Sequence, residues 1–326
     1  MKTWIKAFPA WLKFLHPQVL RGRLIIVERN GGLGDLLCLF PALGALRRQQ
    51  PGARIMVLTS QVFVDFVRQA KVADVVLASD TRGIAWLRRL ARPLFDCHAL
   101  LPDEMVPPLP RGRIHLMEEF ARILGCAGQS LEYPRMCVSP KAQARVRRLL
   151  QKACLGDRPL VVVHSGPTWA VKQWPVSHWQ ELCVRLQSEY GVTVIQTGVD
   201  SHSGDPTVCA PRISGAQDWI NRLSLEETAA LLAQARLFIG VDSGLLHLAN
   251  ALQVPAVGLF GPTDPACFMP PDRVGRALSD ASLPCIGCHH HASGPLHWRT
   301  GCPQDVQCMK GLNVDLVLQR CLPFLL

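Results

Sequence analysis

The sequence has no apolar run long enough to cross a membrane, because charged residues, prolines and glycines interrupt every long hydrophobic stretch. The N-terminal stretch MKTWIKAFPAWLKFLHP lacks an uninterrupted apolar region and a small-residue cleavage site, so no secretory signal peptide is expected. Tyrosine is scarce, with two residues in 326. The lack of a membrane-spanning run and of a signal peptide predicts a protein that neither spans a membrane nor is secreted.

Cysteine is plentiful, but the pattern is not that of a disulfide framework. The thirteen cysteines are odd in number and scattered through predicted strands and helices of a long chain. This usage favours a reducing, cytoplasmic location. Cys285 and Cys288 have the spacing of a metal knuckle, and Cys302 and Cys308 follow, so these four predict either a structural metal site or reduced structural thiols.

The length and the net charge of the chain limit the number of domains and the kind of partner. The chain of 326 residues suffices for two domains of roughly 150–170 residues each. Its 35 basic against 25 acidic residues give a net charge of +10, which favours an anionic partner. Near the N-terminus, Trp4 and Trp11 lie beside Lys6 and Lys13 in an amphipathic segment. Such a segment either contacts an anionic membrane surface or docks on a domain.

Strands alternate with helices along the chain, which predicts an α/β protein with parallel, doubly wound sheets. A strand followed by a small-residue turn and a helix opens each half, so we expect two Rossmann-like domains. The predicted organisation is an amphipathic segment at 1–22, an N-terminal domain at 23–153, a C-terminal domain at 154–312 and a helix at 313–326 that crosses back over the first domain.

The glycine-rich turn GGLGD at 31–35 follows a strand and precedes a helix predicted to begin near Leu36. As a dinucleotide-binding motif it is incomplete, since the third glycine of G-x-G-x-x-G is missing and no acidic residue ends the second strand. A carboxylate at a helix N-terminus is stabilised as the anion. Asp35 is therefore either a proton acceptor or a residue that stabilises the start of the helix.

A second turn, HSGPTWAVKQWP at 164–175, follows the first predicted strand of the second half. Small and hydroxyl-bearing residues followed by a lysine suit the oxygens of a diphosphate. Lys172 is a point charge that can neutralise a leaving group. The alternative interpretation is an ordinary surface lysine.

The stretch RLFIGVDSGLLHLANALQVPAVGLFGPTD at 236–264 reads as strand, tight turn, helix, strand and second turn. Asp242 and Ser243 are natural N-cap residues, and Gly244 lets another group approach the helix N-terminus closely. Free N–H groups and the helix dipole suit a phosphate there. His247, one turn later, is either a further donor to that anion or a satisfied core histidine.

Two segments resemble one known family, the bacterial lipopolysaccharide heptosyltransferases of glycosyltransferase family 9. They are NGGLGDLLCLFPALGALR near the N-terminus and DSGLLHLANALQVPAVGLFGPTDP in the second half. The turn at 164–175 is similar to the family's P-G-A-S-W…K-R-W-P pattern. It departs from that pattern at Ser165 and Pro167 and keeps Lys172.

This resemblance implies the GT-B fold, in which two Rossmann-like domains face each other across a cleft. It implies an inverting, metal-independent transfer of a heptose from ADP-heptose to the inner core of lipopolysaccharide. Asp35 matches the proposed general base, and Lys172 matches the cation that stabilises the departing ADP. The residues implied to bind the donor are Gly34, Thr168, Leu223, Asp242, Ser243, Gly244, Leu245 and His247.

The sequence contains no D-x-D triplet, which holds a divalent ion in the other large glycosyltransferase fold. We therefore expect no catalytic metal and no cofactor. The expected partners are ADP-heptose, an anionic lipopolysaccharide core acceptor and the surface of the inner membrane, for a cytoplasmic or peripheral protein.

Two other classes stay open from the residues alone. A sugar-nucleotide epimerase or a nucleotide-dependent oxidoreductase could use the same twin-Rossmann cleft. A nucleic-acid-binding protein is suggested only by the net charge, and we do not expect one because two tyrosines offer few stacking platforms.

Overall fold

The described residues of the chain fold into two parallel β-sheets, each with its own helices. The predicted α/β class is therefore confirmed. The computed structural model describes residues 24–79, 96–99, 114–153, 155, 157–166, 169–200, 210–291 and 302–326, with the backbone alone at 96–99, 290 and 291. The predicted amphipathic segment at 1–22 and the helix predicted at 82–91 lie outside the described residues.

The first sheet has four strands in the order β3-β2-β1-β4, and every neighbouring pair is parallel. In β1 the apolar run from Leu24 to Val27 is buried, as expected of a parallel strand covered on both faces. The elements from β1 to α3 are β1 (Leu24–Glu28), α1 (Leu33–Gln49), β2 (Arg54–Thr59), α2 (Val64–Ala70), β3 (Val75–Ala78), β4 (Asp96–Ala99) and α3 (Leu116–Ile123).

The second sheet has six strands in the order β10-β9-β8-β5-β6-β7, again all parallel. Its strands are β5 (Leu160–His164), β6 (Thr193–Gly198), β7 (Gln217–Ile220), β8 (Leu237–Val241), β9 (Ala256–Leu259) and β10 (Ala277–Leu278). The helices are α4 (Pro140–Lys152), α5 (Val176–Tyr190), α6 (Leu225–Leu232), α7 (Gly244–Ala251), α8 (Pro265–Phe268), α9 (Cys288–His291), α10 (Gln307–Lys310) and α11 (Val314–Leu325).

The order of the second sheet fixes where its functional edge lies. From β5 the chain moves outward to β6 and β7, and it then returns to β8 on the other side of β5. The strand order therefore reverses between β5 and β8. In open α/β sheets, ligands bind beyond the carboxyl ends of the strands at such a switch point.

The described residues group into two compact units. Among the described residues, 24–31, 39–79, 96–99 and 117–132 belong to the first unit. The second unit contains 32–38, 114–116 and the described residues from Tyr133 onward. The glycine-rich turn and the first residues of α1 thus group with the second sheet.

Helix α11 was predicted to cross back over the first domain. Its described core contacts lie in the second unit, where Val317 and Cys321 are fully buried, and the crossing over the first domain stays a prediction. This helix packs against α5, and it also contacts β8 and β9. Its apolar face is therefore used to cover the second sheet.

Within the described part of the chain, no helix combines the length and the hydropathy that a bilayer crossing requires.

Candidate functional site

Three neighbouring strands of the second sheet deliver polar side chains to the same edge. The segment after β5 carries Lys172, Asp242 follows β8 directly, and Thr263 lies in the turn after β9. Because β5, β8 and β9 are adjacent and parallel, their carboxyl ends meet at one edge. This arrangement brings together groups that are up to 91 positions apart in the sequence, counting from 172 to 263.

A buried ion pair forms the centre of the site. The Lys172 Nζ lies 2.6 Å from Asp242 Oδ2, and both side chains are at most 10% exposed. The ammonium group also lies 3.9 Å from the centroid of the Trp169 ring, within the range of a cation–π contact. The interpretation of Lys172 as a surface lysine is therefore wrong. Burial and two partners hold its charge in one place.

Asp242 is ionised by its surroundings. Burial alone would raise the pKa of this carboxyl group, but the Lys172 ammonium, the His247 ring and their hydrogen bonds lower the pKa well below its ordinary value. The hydroxyl of Thr263 also donates to Asp242 Oδ2, at 2.7 Å. Asp242 was predicted as a natural N-cap, whereas its described contacts join it to Lys172 and Thr263.

His247 is a buried ring with polar neighbours on both nitrogens. Its Nε2 lies 3.7 Å from Asp242 Oδ1, and its Nδ1 lies 2.9 Å from the hydroxyl of Tyr133. The side chain is 4% exposed, which agrees with the interpretation of a satisfied core histidine. His247 therefore belongs to the network around Asp242, and its role as a direct donor to an anion stays a prediction.

Ser243 occupies the N-cap position of α7 but does not cap the helix. Its backbone is extended, at φ −155° and ψ 168°, and its side chain accepts no hydrogen bond from the first turn. The hydroxyl oxygen is buried, and no described group is its hydrogen-bond partner. The predicted capping role is thus wrong, since the hydroxyl makes none of the hydrogen bonds to first-turn N–H groups that define a cap. A buried, unpartnered hydroxyl beside free helical N–H groups suits a bound anion.

The glycine-rich turn packs directly on this helix N-terminus. A Cβ atom on Gly244 would lie 2.7 Å from Leu33 Cβ, and one on Gly34 would lie 2.7 Å from the His247 ring. Both positions therefore require glycine for the close approach. The structure thus brings Gly34, Gly244 and His247 together, and their role in binding the donor stays a prediction.

Asp35 lies within the first turn of α1, which begins at Leu33 and not near Leu36. Its Oδ2 accepts a hydrogen bond from the Gly32 N–H, at 2.8 Å. This bond satisfies one of the free amides at the helix start, so the stabilising role predicted for Asp35 is confirmed. The role as a proton acceptor stays a prediction.

Three other predicted donor-binding residues have less distinctive surroundings. Leu223 is half-buried and precedes Ser224, which begins α6 with a complete capping box to Glu227. Leu245 is half-buried in the first turn of α7. Thr168 lies outside the described residues.

Four cysteines of the second unit interact electrostatically. Burial raises the pKa of the Cys288 thiol, and the neighbouring Cys285 and Cys302 add to the effect. Burial and these three thiols raise the pKa of Cys308 to about 11. Within the described residues, no group of three or more His, Cys, Asp or Glu side chains is placed to hold a metal ion. The raised pKa values of Cys288 and Cys308 favour the protonated thiol at these two positions.

Two residues of the site were not found from the sequence. Thr263 could have been found, because it follows the strand next to β8 and carries a hydroxyl group. Tyr133 carried no local signal, since it lies in an irregular segment 114 positions before His247.

Solved glycosyltransferase structures have the same fold. The iron-containing, dodecameric heptosyltransferase TibC, solved in complex with ADP-D-β-D-heptose, matches with a TM-score of 0.70 at 21% identity, covering 93% of this chain and 76% of that chain. The E. coli ADP-heptose LPS heptosyltransferase II matches with a TM-score of 0.63 at 17% identity, covering 93% of this chain and 98% of that chain. These likenesses confirm the predicted GT-B fold class.

Sequence comparison reaches further than the fold. The chain is 37% identical over 311 residues to lipopolysaccharide heptosyltransferase 1 of Pseudomonas aeruginosa strain PAO1, covering 81% of this chain and 85% of that relative. The sequence model of glycosyltransferase family 9 (heptosyltransferase) matches residues 69–293. The family model and this relative define the class as glycosyltransferases, which decides against an epimerase, an oxidoreductase or a nucleic-acid-binding protein. Within that class, the chain belongs to glycosyltransferase family 9.

Proposed function

We propose that this protein transfers a heptose from ADP-heptose to the inner core of lipopolysaccharide, with inversion at the anomeric carbon and without a catalytic metal. The names of its relatives support the reaction class: one is a lipopolysaccharide heptosyltransferase, and another was solved with ADP-D-β-D-heptose. The anionic acceptor agrees with the net charge of +10. We propose a cytoplasmic enzyme, peripheral on the inner membrane, where such an acceptor is presented.

The observation that carries the proposal is the buried, unpartnered hydroxyl of Ser243 at the N-terminus of α7. A diphosphate placed there accepts hydrogen bonds from the hydroxyl and from the free amides of the first helical turn. Lys172 is held near the same edge by Asp242, the residue before Ser243. Its positive charge opposes the negative charge that develops on the leaving ADP.

The chemistry is one displacement. A hydroxyl oxygen of the acceptor forms a bond to the anomeric carbon of the heptose while the bond from that carbon to the β-phosphate oxygen breaks. The electron pair leaves with ADP, and Asp35 takes the proton of the attacking hydroxyl. Attack opposite the leaving group inverts the anomeric configuration. The donors at α7 and the Lys172 ammonium stabilise the departing charge, so the step needs no divalent ion.

Turnover with ADP-heptose and a lipid A–Kdo acceptor tests the proposal. We expect transfer by the wild-type chain in the presence of EDTA, with a product of inverted configuration. Asp35→Asn keeps the shape of the side chain but removes the proton acceptor, so it should lower kcat by at least about 10²-fold. Lys172→Met should lower kcat by a similar factor of about 10².

Matched variants control for the loss of charge alone. Asp65 occupies the first turn of α2, as Asp35 does in α1, and Lys141 is an exposed residue of α4. Asp65→Asn and Lys141→Met should leave turnover unchanged. Transfer that requires a divalent ion, or wild-type rates in Asp35→Asn, would contradict the proposed mechanism, and the absence of any transfer would contradict the proposed function.

A further inference from the structure

Tyr133 joins an irregular segment of the second unit to the first turn of α7. Its hydroxyl lies 2.9 Å from His247 Nδ1 and 3.4 Å from the His247 carbonyl oxygen. Three positions later, the Met136 N–H donates to the carbonyl oxygen of Ala251, at the other end of the same helix. The segment is therefore hydrogen-bonded both to the first turn of α7 and to its last residue.

The protonated phenol has a hydrogen that it can donate to the His247 ring. Burial raises the pKa of Tyr133 well above the ordinary value for tyrosine, so the hydroxyl keeps its proton. A neutral imidazole has one donor and one acceptor nitrogen. When Tyr133 donates to Nδ1, the ring proton is on Nε2, the nitrogen that lies 3.7 Å from Asp242 Oδ1. In that direction the bond selects the tautomer that presents N–H to the carboxylate.

Packing restricts the ring of His247 as well. A Cβ atom at Gly34 would lie 2.7 Å from His247 Cδ2, so the glycine backbone lies close to that side of the ring. Phe268 approaches edge-on, with a centroid separation of 6.4 Å. Tyr133 supplies the described hydrogen bond to Nδ1 that fixes the rotation of the ring in this space.

We propose that Tyr133 is a positioning residue of the donor site. Through His247 it orients the Asp242 carboxylate, and through that carboxylate it sets the place of the Lys172 ammonium that faces the leaving diphosphate. This inference rests on the proposed function, because it assigns the ammonium to a leaving group. It goes beyond the signature segments, none of which contains Tyr133.

Tyr133→Phe removes only the hydroxyl and is the direct test. If Tyr133 acts on the leaving group through Lys172, kcat should fall by about tenfold while the KM for ADP-heptose changes little. Tyr190, the other tyrosine of the chain, ends α5 and provides the matched control. Tyr190→Phe should keep the wild-type kcat and KM.

Nitrogen NMR of the histidine rings supplies a readout that does not depend on turnover. We expect the His247 resonances of the wild-type chain to show the Nε2–H tautomer, and those of Tyr133→Phe to show a mixture of tautomers. An Nδ1–H tautomer in the wild type, or unchanged resonances in Tyr133→Phe, would overturn the inference. So would a wild-type kcat in the variant.

The two proposals fail in different ways. If the wild-type chain transfers no heptose, the proposed function fails, and the tautomer measurement still decides whether Tyr133 positions His247. If the wild type is active and Tyr133→Phe is equally active, only the positioning role fails.

Discussion

Lys172 and Asp242 show how strongly two buried charges depend on each other. The ammonium and the carboxylate are 2.6 Å apart, and Thr263 and Trp169 contact the pair on other sides. Burial of either charge alone carries a large desolvation penalty. The ion pair as a whole is therefore expected to add little to the stability of the fold. Removing one member alone, however, leaves the other charge buried without its partner and is costly.

This dependence predicts the behaviour of a double-mutant cycle. Lys172→Met leaves Asp242 buried without its cation and should lower the free energy of unfolding by about 3–5 kcal/mol. Asp242→Asn in the same chain removes the stranded charge and should restore most of that stability, while activity stays lost. Urea unfolding of the two single variants and the double variant measures the coupling. Strictly additive losses would contradict the account.

His115 predicts how stability depends on pH. Burial lowers the pKa of this ring below its ordinary value of 6.5, although its hydrogen bond to the Met269 carbonyl oxygen opposes the shift. The unfolded chain therefore binds a proton more readily than the folded chain. It follows that the contribution of His115 is present above pH 6.5 and is lost as the pH falls through the folded-state pKa.

His115→Gln should consequently flatten the decline of the unfolding free energy below pH 6.5, since an amide can still donate to Met269 but does not titrate. Urea unfolding at a series of pH values measures this slope. A slope that is the same in the variant and in the wild type would show that His115 does not contribute to it.

At the scale of elements, α6 and α7 begin in different ways. Ser224 and Glu227 form both bonds of a capping box at α6, whereas Ser243 makes no capping bond at α7. The first serine thus stabilises its helix. The second serine leaves its hydroxyl and the helical amides available to a ligand.

Two serine-to-alanine variants separate these roles. Ser224→Ala should lower the free energy of unfolding by about 1 kcal/mol, because it removes a cap. Ser243→Ala should leave that free energy unchanged or raise it slightly, because it removes a buried hydroxyl without a partner, and it should weaken ADP binding. Thermal unfolding and calorimetric titration measure the two effects. The reverse pattern would contradict the roles given to Ser224 and Ser243.

The elements that the sequence predicted best are those with buried apolar runs. The stretch at 236–264 was predicted as strand, turn, helix and strand, and β8, α7 and β9 follow in that order, with both strands buried throughout. Strand β7 was missed because its sequence QDWI begins with two exposed polar residues and lacks the pattern of a buried parallel strand. The predicted start of α1, near Leu36, lies three residues after the observed start at Leu33. The glycines of this segment resemble those of a turn, but in the structure Gly34 allows close packing in the first helical turn.

The candidate site could be predicted only where local sequence carries the chemistry. Lys172, Asp242 and Ser243 follow strands directly or within a short turn, so position and residue type made them candidates, and the family resemblance supplied the roles proposed for them. The contact between Tyr133 and His247 depends on the path of an irregular segment, which no periodicity encodes. Long-range side-chain pairs of this kind become visible only in the folded chain.

At the scale of the molecule, the first turn of α1 belongs to the compact unit that contains the second sheet. Gly34 and Gly244 make the close approaches, and Asp35 follows Gly34 directly in the same helical turn. The proposed proton acceptor therefore belongs to the same compact unit as the proposed leaving-group site.

The central claim is that the N-terminus of α7 holds the diphosphate of the donor, and amide NMR during titration with ADP tests it most directly. We predict that the amide resonances of Ser243 and Gly244 shift and saturate as ADP binds, while that of Gly275, which lies in the 3₁₀-helix before β10, does not move. Saturable binding of ADP that leaves the Ser243 and Gly244 amides unshifted would contradict the account.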